Sequence, residues 1–137
     1  MAALFVLVML AAMAAAVVRL GWSQQTTFSQ DILSARANQA ARAGVEWGIY
    51  QAIKGTWTSC SSATQTLNLQ TELGMWVTVT CTQSIYKEGE DSSSNPVTVN
   101  VYNIEAVACN GTATCPDNTA AVKPYYVERK QQGVVSN

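Results

Sequence analysis

Residues 1–18 read MAALFVLVMLAAMAAAVV, a run with no charged and no strongly polar side chain; the first charge is Arg19. A helix needs about 20 apolar residues to cross a bilayer, so the run stands at the lower edge of a spanning length. The helical composition continues past it. Residues 1–53 hold 13 Ala with Leu, Met, Gln and Arg between them, no Pro, and only Gly21, Gly44 and Gly48. Ala, Leu, Met, Gln and Arg are strong helix formers. The spacing predicts one helix from about residue 2 to about residue 53, stopped at Lys54-Gly55, because a basic last turn and a following Gly complete a helix C-terminus. At 1.5 Å per residue such a helix is about 75–80 Å long, more than a bilayer needs. Gly21 is a place where it can bend.

Three readings of the apolar run compete. A secretory signal begins with a basic region and ends at a small-residue cleavage site; here no basic residue precedes the run and the helical pattern passes through it unbroken. A plain single-pass anchor fits the length. In the third reading a basic leader has already been removed and the apolar segment is the mature N-terminus, and the unbroken helix beyond the run favours it.

Residues 33–52 indicate what the second half packs against. On a 100° wheel Leu33, Ala37, Ala40, Ala41, Gly44, Val45, Gly48, Ile49 and Ala52 share one side, and Arg36, Gln39, Arg42, Glu46 and Tyr50 share the other. The first side is made mostly of small residues, so a neighbouring element can approach closely. Arg42 and Glu46 are spaced for a weak, solvated ion pair.

From Gly55 the composition changes. Residues 54–137 contain 20 Ser and Thr, only 6 Ala, and all four cysteines, so helix gives way to loop and strand. TWTSCSSATQT (56–66) reads as a polar loop, and MWVTVTCT (75–82) alternates as a strand. Residues 84–96 read as a charged, Ser-rich connection, and PVTVNVYNIEAVAC (96–109) as a longer strand. Its Val97, Val99 and Val101 lie on one parity and Ile104, Ala106 and Ala108 on the other. A one-residue bulge near Asn103 would unite them on one face. PYYVERK (124–130) reads as a third strand and QQGVVSN as a loose tail or strand end. A helix followed by strands indicates α+β. The expected fold is one very long N-terminal helix packed against a small antiparallel sheet, with a hydrophobic protruding helix over residues 1–27 and a globular head over 28–137.

Cys60, Cys81, Cys109 and Cys115 admit three pairings. There is no C-x-x-C and no His anywhere in the 137 residues, so a zinc site would need all four thiols, and Cys109 and Cys115 are too widely spaced for the usual knuckle. Two disulfides are the better reading, Cys60–Cys81 and Cys109–Cys115 being favoured, and they imply an oxidising compartment. Asn110-Gly111-Thr112 matches a glycosylation acceptor, but a turn is the plainer role. The formal net charge of −1 gives no footprint for nucleic acid.

An apolar N-terminus running into a long helix, followed by a disulfide-bearing sheet, resembles a type IV pilin. MAALFVLVML (1–10) and ARANQAARAGVEWGIYQA (35–52) are similar to the MSHA biogenesis P group of minor pilin-like subunits. The likeness covers about the first 53 residues; the rest matches in architecture alone. It implies a leader removed by a prepilin peptidase, an inner-membrane stage with an extracytoplasmic head, and assembly by pilus machinery with other pilin subunits into a surface filament. Methylation of the N-terminal amine belongs to the same pattern. The implied filament-core residues are Met1, Leu4, Phe5, Val6, Leu7, Val8, Met9, Leu10, Met13, Val17 and Val18. Two positions depart from the family pattern: Phe5 stands where most pilins carry Glu, and Gly21-Trp22 where a proline is common. The first departure suggests a minor or tip-type subunit and leaves a major one open.

The leading expectation is therefore a structural subunit of a type IV pilus-like filament, serving adhesion, motility or DNA uptake. The alternative is a membrane-anchored extracytoplasmic module that binds a ligand through Trp57, Tyr86 or Tyr102 and never polymerises. An enzyme would have to work without His; Glu72, Glu88, Glu90, Asp91, Asp117 and Glu128 are candidates by elimination, and no catalytic constellation joins them. No cofactor and no metal are expected.

Overall fold

The computed structural model describes all residues but Met1 and Thr58, and of Ala2 and residues 20–26 only the backbone. The chain is α+β, and it divides into two compact units, Met1–Leu33 and Ser34–Asn137. Helix α1 (Ala2–Ile53) supplies the first unit and enters the second. The second unit adds β1 (Ala63–Leu69), a one-turn helix α2 (Gln70–Leu73), β2 (Met75–Glu90), β3 (Pro96–Cys109) and β4 (Glu128–Ser136). The four strands form one antiparallel meander in the order β1-β2-β3-β4.

Local chemistry explains the joints. Gly74 ends α2 in the left-handed region, φ 71°, where a residue without Cβ is at ease. The β2–β3 turn is organised by Asp91, whose Oδ1 accepts from the backbone N–H of Ser93 at 2.8 Å and of Asn95 at 2.9 Å. Those two N–H groups hold the Asp91 carboxyl below its usual range.

The core of the second unit lies between residues 37–52 of α1 and one face of the sheet. Ala37, Ala40, Ala41, Val45 and Ala52 are buried with Met75, Val77, Val79, Cys81, Tyr102, Ile104, Ala106 and Ala108. On β2 these are alternate residues, and on β3 likewise, as a strand with one covered face requires. Leu33 and Ile49 are half-buried, while Arg36, Gln39, Arg42, Glu46 and Tyr50 are exposed.

Several elements differ from the expectations of the sequence. Part of the polar stretch 56–66 is β1, an edge strand whose Thr, Gln and Asn side chains are tolerated because only Leu67 and Leu69 need partial cover. Strand β2 continues to Glu90, through residues expected to be a connection. The last strand is 128–136, not 124–130; the stretch QQGVVSN is mostly strand, and Pro124-Tyr125 belongs to the loop before it. No bulge occurs at Asn103. Pairing of β2 with β3 is regular there, and the register shifts instead between Lys87 and Gly89. The two apolar parities of β3 therefore stay on opposite faces. Tyr102, Ile104, Ala106 and Ala108 are buried, Ile104 and Ala106 against the helix, and Val97, Val99 and Val101 remain exposed or half-buried.

Candidate functional site

In the first unit the decisive feature is the surface of α1. Leu4, Phe5, Val6, Leu7, Val8, Met9, Leu10, Met13, Val17 and Val18 are 50–69% exposed. Their positions go all the way round the helix, so no polar side is left. Met1, the remaining residue expected in this set, lies outside the described residues. Among the described residues no helix is long and apolar enough to cross a membrane.

In the second unit, contact between helix and sheet is set by three glycines. A Cβ on Gly44 would lie 2.6 Å from Val77 Cγ1, one on Gly48 2.5 Å from Ile104 Cγ2, and one on Gly133 2.6 Å from Val45 Cγ1. Gly133 thus lets β4 approach the helix as closely as β2 and β3 do. Two polar stitches hold the same edge: Arg129 Nη2 donates to Ser34 Oγ at 2.7 Å, and Gln131 Nε2 to Asn38 Oδ1 at 2.6 Å. Beside them is an open polar groove of about 740 Å³, lined by Asn38, Gln39, Arg42, Glu46, Gln131 and Gln132 among others. The Arg42–Glu46 pair in it spans 3.5 Å with both side chains largely in water, so it contributes little.

Cys60 is bonded to Cys81 and Cys109 to Cys115; no cysteine is free. The first bridge ties the segment after α1 to β2. The second closes the start of the long loop between β3 and β4, and that loop has its own internal order. Asp117 accepts from the backbone N–H groups of Thr119, Ala120 and Thr112 and from the Thr112 hydroxyl. The Ala120 and Thr112 N–H groups lead in holding its carboxyl below the ordinary aspartate range. Its own N–H donates to the Tyr126 hydroxyl at 3.1 Å, which donates to Glu128 Oε2 at 2.5 Å. Partial burial and the Glu128 carboxylate both push the Tyr126 hydroxyl up from its usual value. Asn110 spans the base of the loop, donating to Tyr125 O at 2.8 Å and accepting from Val127 N at 2.9 Å. The loop is fastened to the sheet at Thr78, whose hydroxyl accepts from Cys115 N at 2.9 Å and lies 3.3 Å from that of Thr66.

The candidate binding aromatics are scattered. Tyr102 is buried, Trp57 is half-buried and stands edge-on to Trp47 with ring centres 5.0 Å apart, and Tyr86 is exposed. The candidate carboxylates are no more convergent. Glu72 lies on α2, Glu88 and Glu90 near the end of β2, and Asp91 in its turn; Asp117 is linked to the Glu128 carboxylate through Tyr126, but by its backbone N–H and not by its own carboxylate. Among the described residues no cluster of three or more His, Cys, Asp or Glu side chains is placed to hold a metal ion. Two roles escaped the sequence reading: Asp117 as the centre of a loop, and Gly133 as the contact point of β4. The signal for the first was present in Asp117-Asn118-Thr119, an aspartate two residues before a backbone N–H that its side chain can accept from. Comparison of the chain with models of known protein families, with curated proteins and with solved structures gives no match.

Proposed function

We propose that this chain is a structural subunit of a type IV pilus-like cell-surface filament and that it polymerises through the apolar part of α1. One observation carries the reading: ten large apolar side chains, Leu4 to Val18, are exposed around the helix. Burying each is worth roughly 1.5–3 kcal/mol, so the helix is driven out of water wherever a partner exists. An apolar helix of this kind belongs in lipid or among other helices. In this reading the inner membrane holds it first, with the head on the extracytoplasmic side, and neighbouring subunits hold it after prepilin peptidase and the assembly machinery have acted. The pilin-like order of a helix followed by an antiparallel sheet supports the reading, as do two disulfides, which suit an oxidising compartment.

The test places Asp at Leu7 or Leu10 of the full chain in cells with a pilus assembly system. The expected result is loss of the protein from sheared filaments, with the disulfides of the head still formed. Filaments that incorporate these variants as well as the unaltered chain would contradict the proposal. So would an unaltered chain recovered only as single copies in detergent, the behaviour of an anchored binding module.

A further inference from the structure

Arg19 and Asp31 are the only ionisable side chains in residues 1–35. Both are exposed, both lie on α1, and both belong to the first unit. Neither has an opposite charge three or four positions away. Ala15, Ala16, Trp22 and Ser23 flank Arg19; Thr27, Phe28, Ser34 and Ala35 flank Asp31. The pairing that joins Arg42 to Glu46 is thus closed to them within their own helix turns.

On the assembly reading above, which this inference rests on, side-by-side packing takes both charges out of water. Such charges are tolerated only when paired. We infer that neighbouring copies, parallel to one another, pair Arg19 of one with Asp31 of the next, and that this ion pair sets the axial register of the assembled helices. The twelve positions between them correspond to a displacement of about 18 Å along the axis, with the long arginine stem accommodating some departure from it. The apolar run itself carries no charged or hydrogen-bonding side chain that would mark one offset. A buried polar contact discriminates among offsets, as it does in coiled coils. Arginine's planar fork suits a carboxylate partner.

The parallel arrangement follows from what else would touch. With this displacement residues 1–6 of one copy lie beside residues 13–18 of the next, apolar against apolar, and residues 7–18 lie beside residues 19–30, in which Arg19 is the one charge among apolar and uncharged polar residues. An antiparallel pair would join the same charges but set residues 1–18 beside residues 32–49, whose exposed side carries Arg36, Gln39, Arg42 and Glu46. In the parallel form each copy offers its arginine to one neighbour and its aspartate to another, so the contact continues from copy to copy instead of closing on itself.

The experiment uses the full chain in cells that assemble it, comparing R19E, D31R and the double variant R19E/D31R. Total protein with oxidised head cysteines serves as the folding control, and the sheared filament fraction is the readout. Each single reversal is expected to lower filament yield by about tenfold or more, and the double reversal to restore it, because an uncompensated buried charge is what disrupts packing. If both single variants assemble like the unaltered chain, or the double variant is as defective as they are, the ion pair is overturned while assembly through the apolar run stands. If the unaltered chain forms no filaments, the assembly reading falls and the pair falls with it.

Discussion

Gly48 on α1 and Ile104 on β3 are in backbone-to-side-chain contact: a Cβ on Gly48 would lie 2.5 Å from Ile104 Cγ2 and 2.9 Å from Val79 Cγ1. Both glycine and isoleucine are fully enclosed there. At Gly48 the helix backbone rests directly on side chains of the sheet with no helix side chain between, a closeness that the Ala and Gly of its inward side permit.

Gly48→Ala is therefore expected to destabilise the head by about 1–3 kcal/mol, the usual cost of overpacking, even though alanine gains about 1 kcal/mol in helix propensity. Thermal unfolding of the full chain in detergent checks this. A higher melting temperature for Gly48→Ala would mean that the helix stands off the sheet. Gly44→Ala, blocked by Val77 Cγ1 at 2.6 Å, should behave in the same way.

The two disulfides should differ in their effect. Cys60 and Cys81 are 21 positions apart and Cys109 and Cys115 only 6. By loop-closure entropy, removing the first costs about 3 kcal/mol and removing the second about 2 kcal/mol. Urea unfolding of C60A/C81A and C109A/C115A measures both, and the first variant should unfold at the lower urea concentration.

Acid should loosen the β3–β4 loop before the sheet. The Asp117 carboxyl is held below its unperturbed value of 3.8, first by the Ala120 N–H and then by that of Thr112. A depressed carboxyl stabilises the fold fully above its unfolded value, and the contribution is lost as pH falls through the lower folded value. Amide exchange of residues 111–121 should therefore accelerate as pH falls below about 4, relative to the intrinsic rate. In D117N this acid-dependent component should vanish. Retention of it in D117N would place its origin elsewhere.

Thr78 fastens this loop to the sheet by accepting from Cys115 N at 2.9 Å. Thr78→Val keeps the shape and leaves that part-buried N–H without its acceptor, at an expected cost of about 1–3 kcal/mol. Thr78→Ser keeps the acceptor and should recover part of the loss in the same urea assay.

Some of this architecture was legible in the residues and some was hidden by packing. The end of α1 at Ile53 and the bounds of β3 follow from Lys54-Gly55 and from the run after Pro96. Strand β1 was hidden because an edge strand with one partly covered face can be built from Thr, Gln and Asn. Strand β4 was hidden because the contact to the helix is made by Gly133 against Val45, so no apolar alternation marks it. The opposed parities of β3 looked like a bulge because the sequence does not say that α1 covers only the half from Tyr102 onward. The exposed apolar surface, Leu4 to Val18, was plain from composition, since no polar residue interrupts it. Around Asp117 only the local turn at Asp117-Asn118-Thr119 was legible; its bonds to Thr112 and Tyr126 join parts of the loop that the sequence does not place together.

Electron cryomicroscopy of filaments sheared from cells expressing the full chain would resolve what surrounds Leu4, Phe5, Leu7, Val8 and Leu10. Neighbouring subunit helices packed against those side chains are expected. A density map in which lipid or detergent alone surrounds them, or native material from which they have been cleaved, would contradict assembly through this helix.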